Sequence, residues 1–106
     1  MASNAVRGIH FAGEVTPGTN TNAIEFITIA TLGNAQDFGD STYVSKSHMS
    51  TASSTRAIQA GGGNPSTPLN NIDYIQIMTT GNALDFADLT SGARGSGAAN
   101  SNGHGG

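Results

Sequence analysis

The chain contains two copies of one sequence block, and this repeat limits the available folds more than any other feature. Residues 24–42 align with residues 72–90 without a gap, and eleven of the nineteen aligned positions are identical. Both copies carry the phrase Gly-Asn-Ala-x-Asp-Phe-x-Asp. The spacing of 48 residues matches one supersecondary unit of a repeat protein, and such proteins bury each unit by stacking it on a neighbour. Two similar units are therefore predicted.

The similarity extends beyond this block in both directions. Residues 7–13 resemble residues 56–62, with a one-residue slip in the loop that follows, and Lys46 falls opposite Arg94. Gly-rich ends rarely order without partners. The predicted organisation is a single two-repeat domain over residues 1–106, with units at about 7–55 and 56–101 and a mobile tail at 102–106.

Each unit is predicted to consist of short strands, with almost no helix in the chain. The segments 23–31 and 71–79 are rich in Ile, Thr and aromatic residues, which favour strands. Both are apolar on two faces, a pattern typical of a strand buried between two other sheets. The remaining predicted strands are 7–13 and 56–62, the short outer strands 36–38 and 84–86, and the small-residue strands 47–53 and 95–101.

Composition excludes several classes of partner. The chain has no cysteine, a net charge of −3 and only four Lys plus Arg. Nucleic acid is not an expected partner, because phosphate binding needs a basic patch. The longest apolar run is too short to insert in a membrane, and no signal peptide is recognised. Gly, Ser, Thr and Asn dominate, as in low-complexity chains, but the repeat favours folded β-structure over disorder.

The order of motifs in each unit resembles the kelch repeat. The matching residues are Gly61 and Gly62, the run Asn-Ile-Asp-Tyr at 71–74, and Arg94. The first unit has a single glycine at the equivalent place, and Phe38 and Phe86 stand where kelch blades usually have Trp. The repeated phrase Gly-Asn-Ala-x-Asp-Phe-x-Asp also resembles sequences in repeat proteins of phages and marine viral metagenomes. The resemblance implies an all-β fold of kelch-type β-propeller blades, with two four-stranded blade units per chain, and a virion-associated location.

The kelch order assigns 47–53 as the innermost strand, followed outward by 56–62, 71–79 and 84–86. The chain would then begin with a second strand at 7–13 and end with a spare inner strand. Two blades leave strand edges and faces bare. We therefore expect a cyclic head-to-tail homo-oligomer whose ring is completed by an inter-chain shared blade. Three chains are expected first, four second and five third. Residues 98–106 overlap in repeat register with residues 1–9, as they would in a fragment excised from a longer array.

Acidic and amide residues in the repeated phrase could supply oxygen ligands to a hard cation such as calcium. The favoured interpretation is turn chemistry, in which Asn and Asp side chains bond nearby backbone amides. No metal or cofactor is therefore predicted. The residues concerned are Asn34, Asp37 and Asp40 in the first copy and Asn82, Asp85 and Asp88 in the second.

Histidines and basic residues are the other candidates for binding. His10, His48 and His104 lie at three different repeat positions. Symmetry could gather copies of His48 near a ring axis as a metal site, but a surface or pore-lining role is the ordinary explanation. Lys46 and Arg94 could form an axial anion pocket, whereas pairing of these residues, and of Arg7 and Arg56, with Asp or Glu is favoured.

No catalytic constellation is present in the sequence. Asp37, Phe38 and Gly39 spell the kinase metal-binding tripeptide, but the rest of that signature is missing. No Ser-His-Asp arrangement has support. We therefore expect a non-catalytic, self-assembling structural module. The alternative is a glycan- or protein-binding module that uses axial surfaces or the polar loops 16–22 and 64–70, although neither loop contains an aromatic residue.

Overall fold

The computed structural model describes residues 1–64, 67–93 and 97–103. Within these residues the regular structure is entirely β, and the prediction that the chain has almost no helix is confirmed. The strands form two antiparallel sheets in chain order, sheet 1 from β1 to β4 and sheet 2 from β5 to β8. They are β1 (Ala2–Ser3), β2 (Arg7–Thr16), β3 (Thr19–Thr28), β4 (Gln36–Asp40), β5 (Met49–Ala52), β6 (Arg56–Ala60), β7 (Leu69–Gln76) and β8 (Leu84–Ala93).

The repeat in sequence is a repeat in structure, down to an irregularity in the hydrogen-bond ladder. In sheet 1 the register of β3 against β4 shifts between Ile24 and Glu25. In sheet 2 the register of β7 against β8 shifts between Ile72 and Asp73. These are equivalent positions, 48 residues apart. A bulge bends a strand and re-aims its side chains, so each sheet acquires the same local bend.

The two sheets stack face to face, and the apolar core lies between them. Sheet 1 contributes Ile24, Phe26 and Phe38, while sheet 2 contributes Ile75 and Ile77. The rings of Phe26 and Phe38 meet edge to face at 5.8 Å. Only one face of each sheet is covered, because two sheets form only one interface. The prediction that the strongest strands are buried on both faces is therefore wrong for the isolated chain.

The N-terminal end differs from the prediction that the chain begins with a second strand. Strand β1 forms one edge of sheet 1, where Ala2 lies opposite Ile9. The side chain of Asn4 makes the turn into β2, since its Oδ1 accepts hydrogen bonds from the amides of Val6 and Arg7 at 2.8 and 2.7 Å. Asn commonly forms such turns, and this one lets two residues form a strand.

The C-terminal end also differs from the prediction. Residues 97–101, the described part of the strand predicted at 95–101, are not in a strand. This segment instead lies near β1 and β5, where Ala99, Asn100 and Ser101 help to line a cavity of about 410 Å³. Of the tail predicted to be mobile, residues 104–106 lie outside the described part of the chain.

Other strand limits have local causes. Strand β3 ends at Thr28 and β7 at Gln76, earlier than predicted. In each case the amide three residues later, Thr31 or Thr79, donates back to the last strand carbonyl at 3.2 Å, which makes a turn. The outer strands β4 and β8 are longer than predicted.

Candidate assembly interface

The contact between the sheets uses opposite faces of the repeat. We call the face of Ile24, Phe26 and Phe38 the front of sheet 1, and the face of Asp73, Ile75 and Ile77 the back of sheet 2. The internal junction is the packing of that front against that back, and all six side chains are buried in it. By repeat position, Ile72, Tyr74 and Phe86 form the front of sheet 2, and Glu25, Ile27 and Ile29 form the back of sheet 1.

Equivalent residues have opposite environments in the two sheets. Phe38 is 3% exposed in the internal junction, whereas its counterpart Phe86 is 53% exposed. Ile77 has no exposed surface, whereas its counterpart Ile29 is 50% exposed. The single chain therefore presents one apolar front, on sheet 2, and one apolar back, on sheet 1, each related by the repeat to a face already buried.

Backbone hydrogen bonds within the repeated phrase join the two sheets. The amide of Gly81 donates to the carbonyl of Phe38, and the amide of Ala83 donates to that of Asp40, both at 2.8 Å. Between them the Asn82 Oδ1 accepts a hydrogen bond from the Asp40 amide at 3.0 Å. We call these three bonds the connector. One copy of the phrase supplies its strand half, residues 38–40, and the other its turn half, residues 81–83.

Gly39 allows the connector to form. Its φ is +151°, which favours glycine, and a Cβ built on it would overlap the carbonyl of Gly81. The strand of one sheet and the turn of the other therefore approach as backbone against backbone. Gly33 has nearly the same φ, +152°, but an added Cβ there would meet no atom within 4 Å. Close approach thus restricts Gly39 and does not restrict Gly33.

A buried carboxylate provides a second link across the junction. Asp73 has no exposed surface. Its Oδ2 accepts from the Thr42 amide and its Oδ1 from the Thr42 hydroxyl, each at 2.6 Å. A buried charge is tolerated only when it is hydrogen-bonded in this way. From the sequence, Asp73 is only part of the run that resembles the kelch motif. The signal for its buried role is a carboxylate among the alternating apolar residues of a strong strand.

Two further side chains cross the junction, and sequence reasoning identified neither role. Gln59 is fully buried between Ser41 and Ser45, accepting from one hydroxyl at 2.8 Å and donating to the other at 3.0 Å. Arg7 lies over the Phe26 ring at 4.4 Å and donates from Nη1 to the carbonyl of Ile77 at 2.9 Å. The junction is thus polar at its edges and apolar at its centre.

The acidic residues considered for calcium do not converge. Within the described part of the chain, no three His, Cys, Asp or Glu side chains are close enough to hold a metal ion. Asp37 lies opposite Glu25 across the ladder, and Asp85 lies opposite Asp73. Asp40 enters the connector through its backbone, and Asp88 is exposed. Asn82 does bond a backbone amide, as turn chemistry predicts, but the amide belongs to the other sheet.

His48 packs inside the chain. Its ring meets the edge of Phe11 at 6.4 Å, and its Nδ1 is buried with no hydrogen-bond partner. The pKa of His48 is lowered to about 4. Burial is the largest cause, and the positive charges of the amino terminus and of His10 contribute less. His10 is exposed on sheet 1. His104 lies outside the described residues.

The basic residues have two different kinds of partner. Lys46 forms an ion pair with Glu14 at 3.1 Å, as the sequence predicts. The pKa of Glu14 is lowered mainly by a hydrogen bond from the Gly18 amide and then by Lys46. For Arg7 and Arg56 the predicted pairing with acids is wrong: Arg7 stacks on Phe26, and the guanidinium of Arg56 lies 5.0 Å from the Tyr74 ring centre. Arg94 lies outside the described residues.

Comparison with known proteins adds no relative: no protein-family model matches the chain, and neither does any curated protein. Among the described residues, no helix is long and apolar enough to cross a membrane. The case for a function therefore depends on the geometry of the two faces.

Proposed function

We propose that the chain is a non-catalytic structural module that assembles head to tail with copies of itself. The front of sheet 2 of one copy would pack on the back of sheet 1 of the next. The observation that carries this proposal is the reversal of environment between Phe38 and Phe86 and between Ile77 and Ile29. Each free face is the repeat counterpart of a buried one, so a second copy offers each face a surface of the kind it already fits.

The proposal extends to the architecture of the assembly. The two sheets would be kelch-type blades, as the sequence resemblance implies, and a contact between different faces can close into a ring. We propose three copies as the first expectation for the ring, then four, then five. A contact between identical faces would instead stop at two copies and leave the other face of each chain exposed.

A shared blade is part of the same proposal. Strand β5 lies opposite four residues of β6, whereas β1 lies opposite only Gly8 and Ile9 of β2. In the described part of the chain, the inner edge of β2 has no strand partner at His10 and Phe11. The segment 97–100 is the sequence counterpart of 49–52. We propose that this segment of a neighbouring copy displaces β1 and pairs with β2 from Gly8 to Phe11, in the register that β5 has on β6.

Two complementary variants test the head-to-tail contact. Phe86→Asp places a charge on the front of sheet 2, and Ile29→Asp places one on the back of sheet 1; both residues are exposed in the single chain, so both variants should fold. Measured by light scattering after gel filtration, the wild type should have the mass of several chains and each variant that of one. An equimolar mixture should form a dimer, because each variant keeps the face that the other lost.

Val44→Asp is the matched control, since Val44 is also exposed and makes no described contact across the internal junction. It should keep the mass of the wild type. A wild type that stays monomeric up to millimolar concentration would overturn the proposal. A Phe86→Asp variant that dimerises alone, or an Ile29→Asp variant that assembles like the wild type, would show that the contact is not head to tail.

Disulfide trapping tests the shared blade, because the chain has no cysteine of its own. Ser50 lies opposite Gln59 in sheet 2, and the counterparts of these residues are Ala98 and His10. Opposed strand residues are close enough for a disulfide. The double variant Ala98→Cys and His10→Cys should give covalent multimers on a non-reducing gel. Covalent monomers alone would exclude strand sharing and leave the face contact untouched.

A further inference from the structure

The connector has a complete second set of residues, which the single chain does not use. The turn half of the internal connector is Gly81, Asn82 and Ala83, and the first unit has the same three residue types at 33–35. The strand half uses Phe38 and Asp40, and the second unit has Phe86 and Asp88 at the equivalent positions. Residues 33–35 and 86–88 are exposed in the single chain. The repeated phrase thus supplies one connector within a chain. It also leaves two unpaired halves, a turn half on sheet 1 and a strand half on sheet 2.

We propose that the open halves form an external connector between copies, in which Asn34 Oδ1 of one copy accepts a hydrogen bond from the Asp88 amide of the next. Ala87 is the residue that sets the strength of this contact. The inference rests on the proposed head-to-tail function and identifies the residues that control it.

Ala87 is the one substitution within the strand half. Its counterpart Gly39 packs backbone to backbone against Gly81, where a methyl group would overlap the carbonyl. Gly39 also has a φ of +151°, whereas Ala87 is not among the residues with positive φ. The external connector must therefore accommodate the methyl group of Ala87, and the backbone at Ala87 differs in φ from that at Gly39. It forms at a wider separation than the internal one, and copies separate before the two sheets of one chain do.

A second difference fits the same wider separation. The buried link of the internal junction joins Asp73 to Thr42 at 2.6 Å, and the counterparts of these residues are Glu25 and Thr90. The threonine is kept, while the carboxylate gains one methylene group and reaches further. Both Glu25 and Thr90 are exposed. The external junction thus has a longer side chain available for this link.

Arg56 is the counterpart of a residue that bonds across the internal junction. Arg7 donates across the internal junction to the carbonyl of Ile77. The guanidinium of Arg56 lies over the Tyr74 ring as that of Arg7 lies over the Phe26 ring. The counterpart of Ile77 is Ile29. The carbonyl of Ile29 in the next copy is the acceptor that the repeat assigns to the Arg56 guanidinium.

The test is the dissociation constant of the assembly, measured by sedimentation over a dilution series of the full chain. Ala87→Gly should tighten association about tenfold, because it restores the backbone approach seen at Gly39. Asn34→Ala should weaken association about tenfold, the equivalent of one net hydrogen bond. Thr31→Ala is the control: its counterpart Thr79 donates from its amide to Gln76 and makes no hydrogen bond to sheet 1 among the described residues, so association should not change.

The outcomes separate this inference from the function on which it rests. If the wild type associates and Ala87→Gly leaves the dissociation constant unchanged or raises it, the external connector is overturned while head-to-tail assembly stands. The same holds if Asn34→Ala associates as tightly as the wild type. If neither the wild type nor Ala87→Gly associates, the proposed function fails and the connector fails with it. Circular dichroism of each variant at low concentration verifies that the fold is retained.

Discussion

At the scale of single residues, the junction between the sheets depends on a few buried polar groups that are hydrogen-bonded inside the protein and have no contact with water. Asp73 is bonded twice to Thr42, and Gln59 is bonded to Ser41 and Ser45. Apolar packing alone tolerates sliding of one sheet over the other. Hydrogen bonds that must be satisfied in the interior fix the sheets in one position, because a shift leaves a buried polar group unpaired.

Asp73→Asn should destabilise the single chain by about 2 kcal/mol. The amide oxygen can still accept from the Thr42 amide and its NH₂ group can donate to the Thr42 hydroxyl, but both bonds lose the strength that the ionised carboxylate gives them. The measurement is urea unfolding below the concentration at which copies associate. Glu25→Gln, at the exposed equivalent position, should leave the free energy of unfolding of the monomer unchanged. Equal losses in the two variants would contradict the role given to burial.

His48 should make stability fall at mildly acidic pH. Its folded pKa is about 4, below the value of about 6.5 in an unfolded chain. The unfolded state therefore binds the proton more readily between these values, so stability is complete above about pH 6.5 and declines as the pH approaches 4. Solvent screening limits the loss to about 1 kcal/mol. His48→Asn should reduce the decline between pH 7.5 and 4.5 in urea unfolding; an unchanged pH dependence would refute this assignment.

At the scale of strands and sheets, one sequence pattern is used in two ways. The side-chain patterns of β3 and β7 are similar, yet β3 buries Ile24 and Phe26 while β7 buries Asp73 and Ile75. The strand propensities of Ile, Thr and aromatic residues made the strands themselves predictable. Both faces are apolar, so the sequence could not indicate which face is covered in each sheet. That choice depends on the position of the sheet in the stack.

Other features could not be predicted from the sequence either, because they depend on which segments meet in the folded chain. Asn82 could be recognised as a residue that bonds backbone amides, but the phrase contains no information that the Asp40 amide comes from another sheet. Strand β1 was missed because a strand of two residues has no periodicity, and the turn made by Asn4 is its only signal. Arg7 and Arg56 were assigned to acids because charge suggests a charged partner. In the structure each contacts an aromatic ring across its own sheet.

Gly39→Ala and Gly33→Ala should separate crowding from backbone strain. The two glycines have φ values of +151° and +152°, but only Gly39 faces another backbone. Gly33→Ala should cost about 1 kcal/mol from conformation alone, and Gly39→Ala should cost at least about 2 kcal/mol more because the connector must open. Thermal unfolding of the dilute monomers measures both. Equal costs would mean that the close approach at Gly39 does not restrict the junction.

At the scale of the whole molecule, the proposed assembly links stability to concentration. Association that involves only the folded chain raises its apparent stability as the concentration increases. The melting temperature of the wild type should therefore rise with protein concentration. That of Phe86→Asp should be independent of concentration, because its front face carries a charge. Scanning calorimetry over a hundredfold range of concentration distinguishes the two; a constant melting temperature in the wild type would contradict assembly of the folded chain.

Some combination of a rotation and a translation relates sheet 1 to sheet 2, and the proposed assembly applies the same operation again. If copies join as the two sheets do, the angle between the sheets determines how many sheets, and therefore how many copies, close the ring. Any translation along the axis would convert the circle into a helical filament. The segment 41–48 joins β4 to β5 and holds Ser41, Thr42 and Ser45 in the junction. An insertion or deletion in that segment would be repeated in every copy, so it would alter the diameter or closure of the assembly.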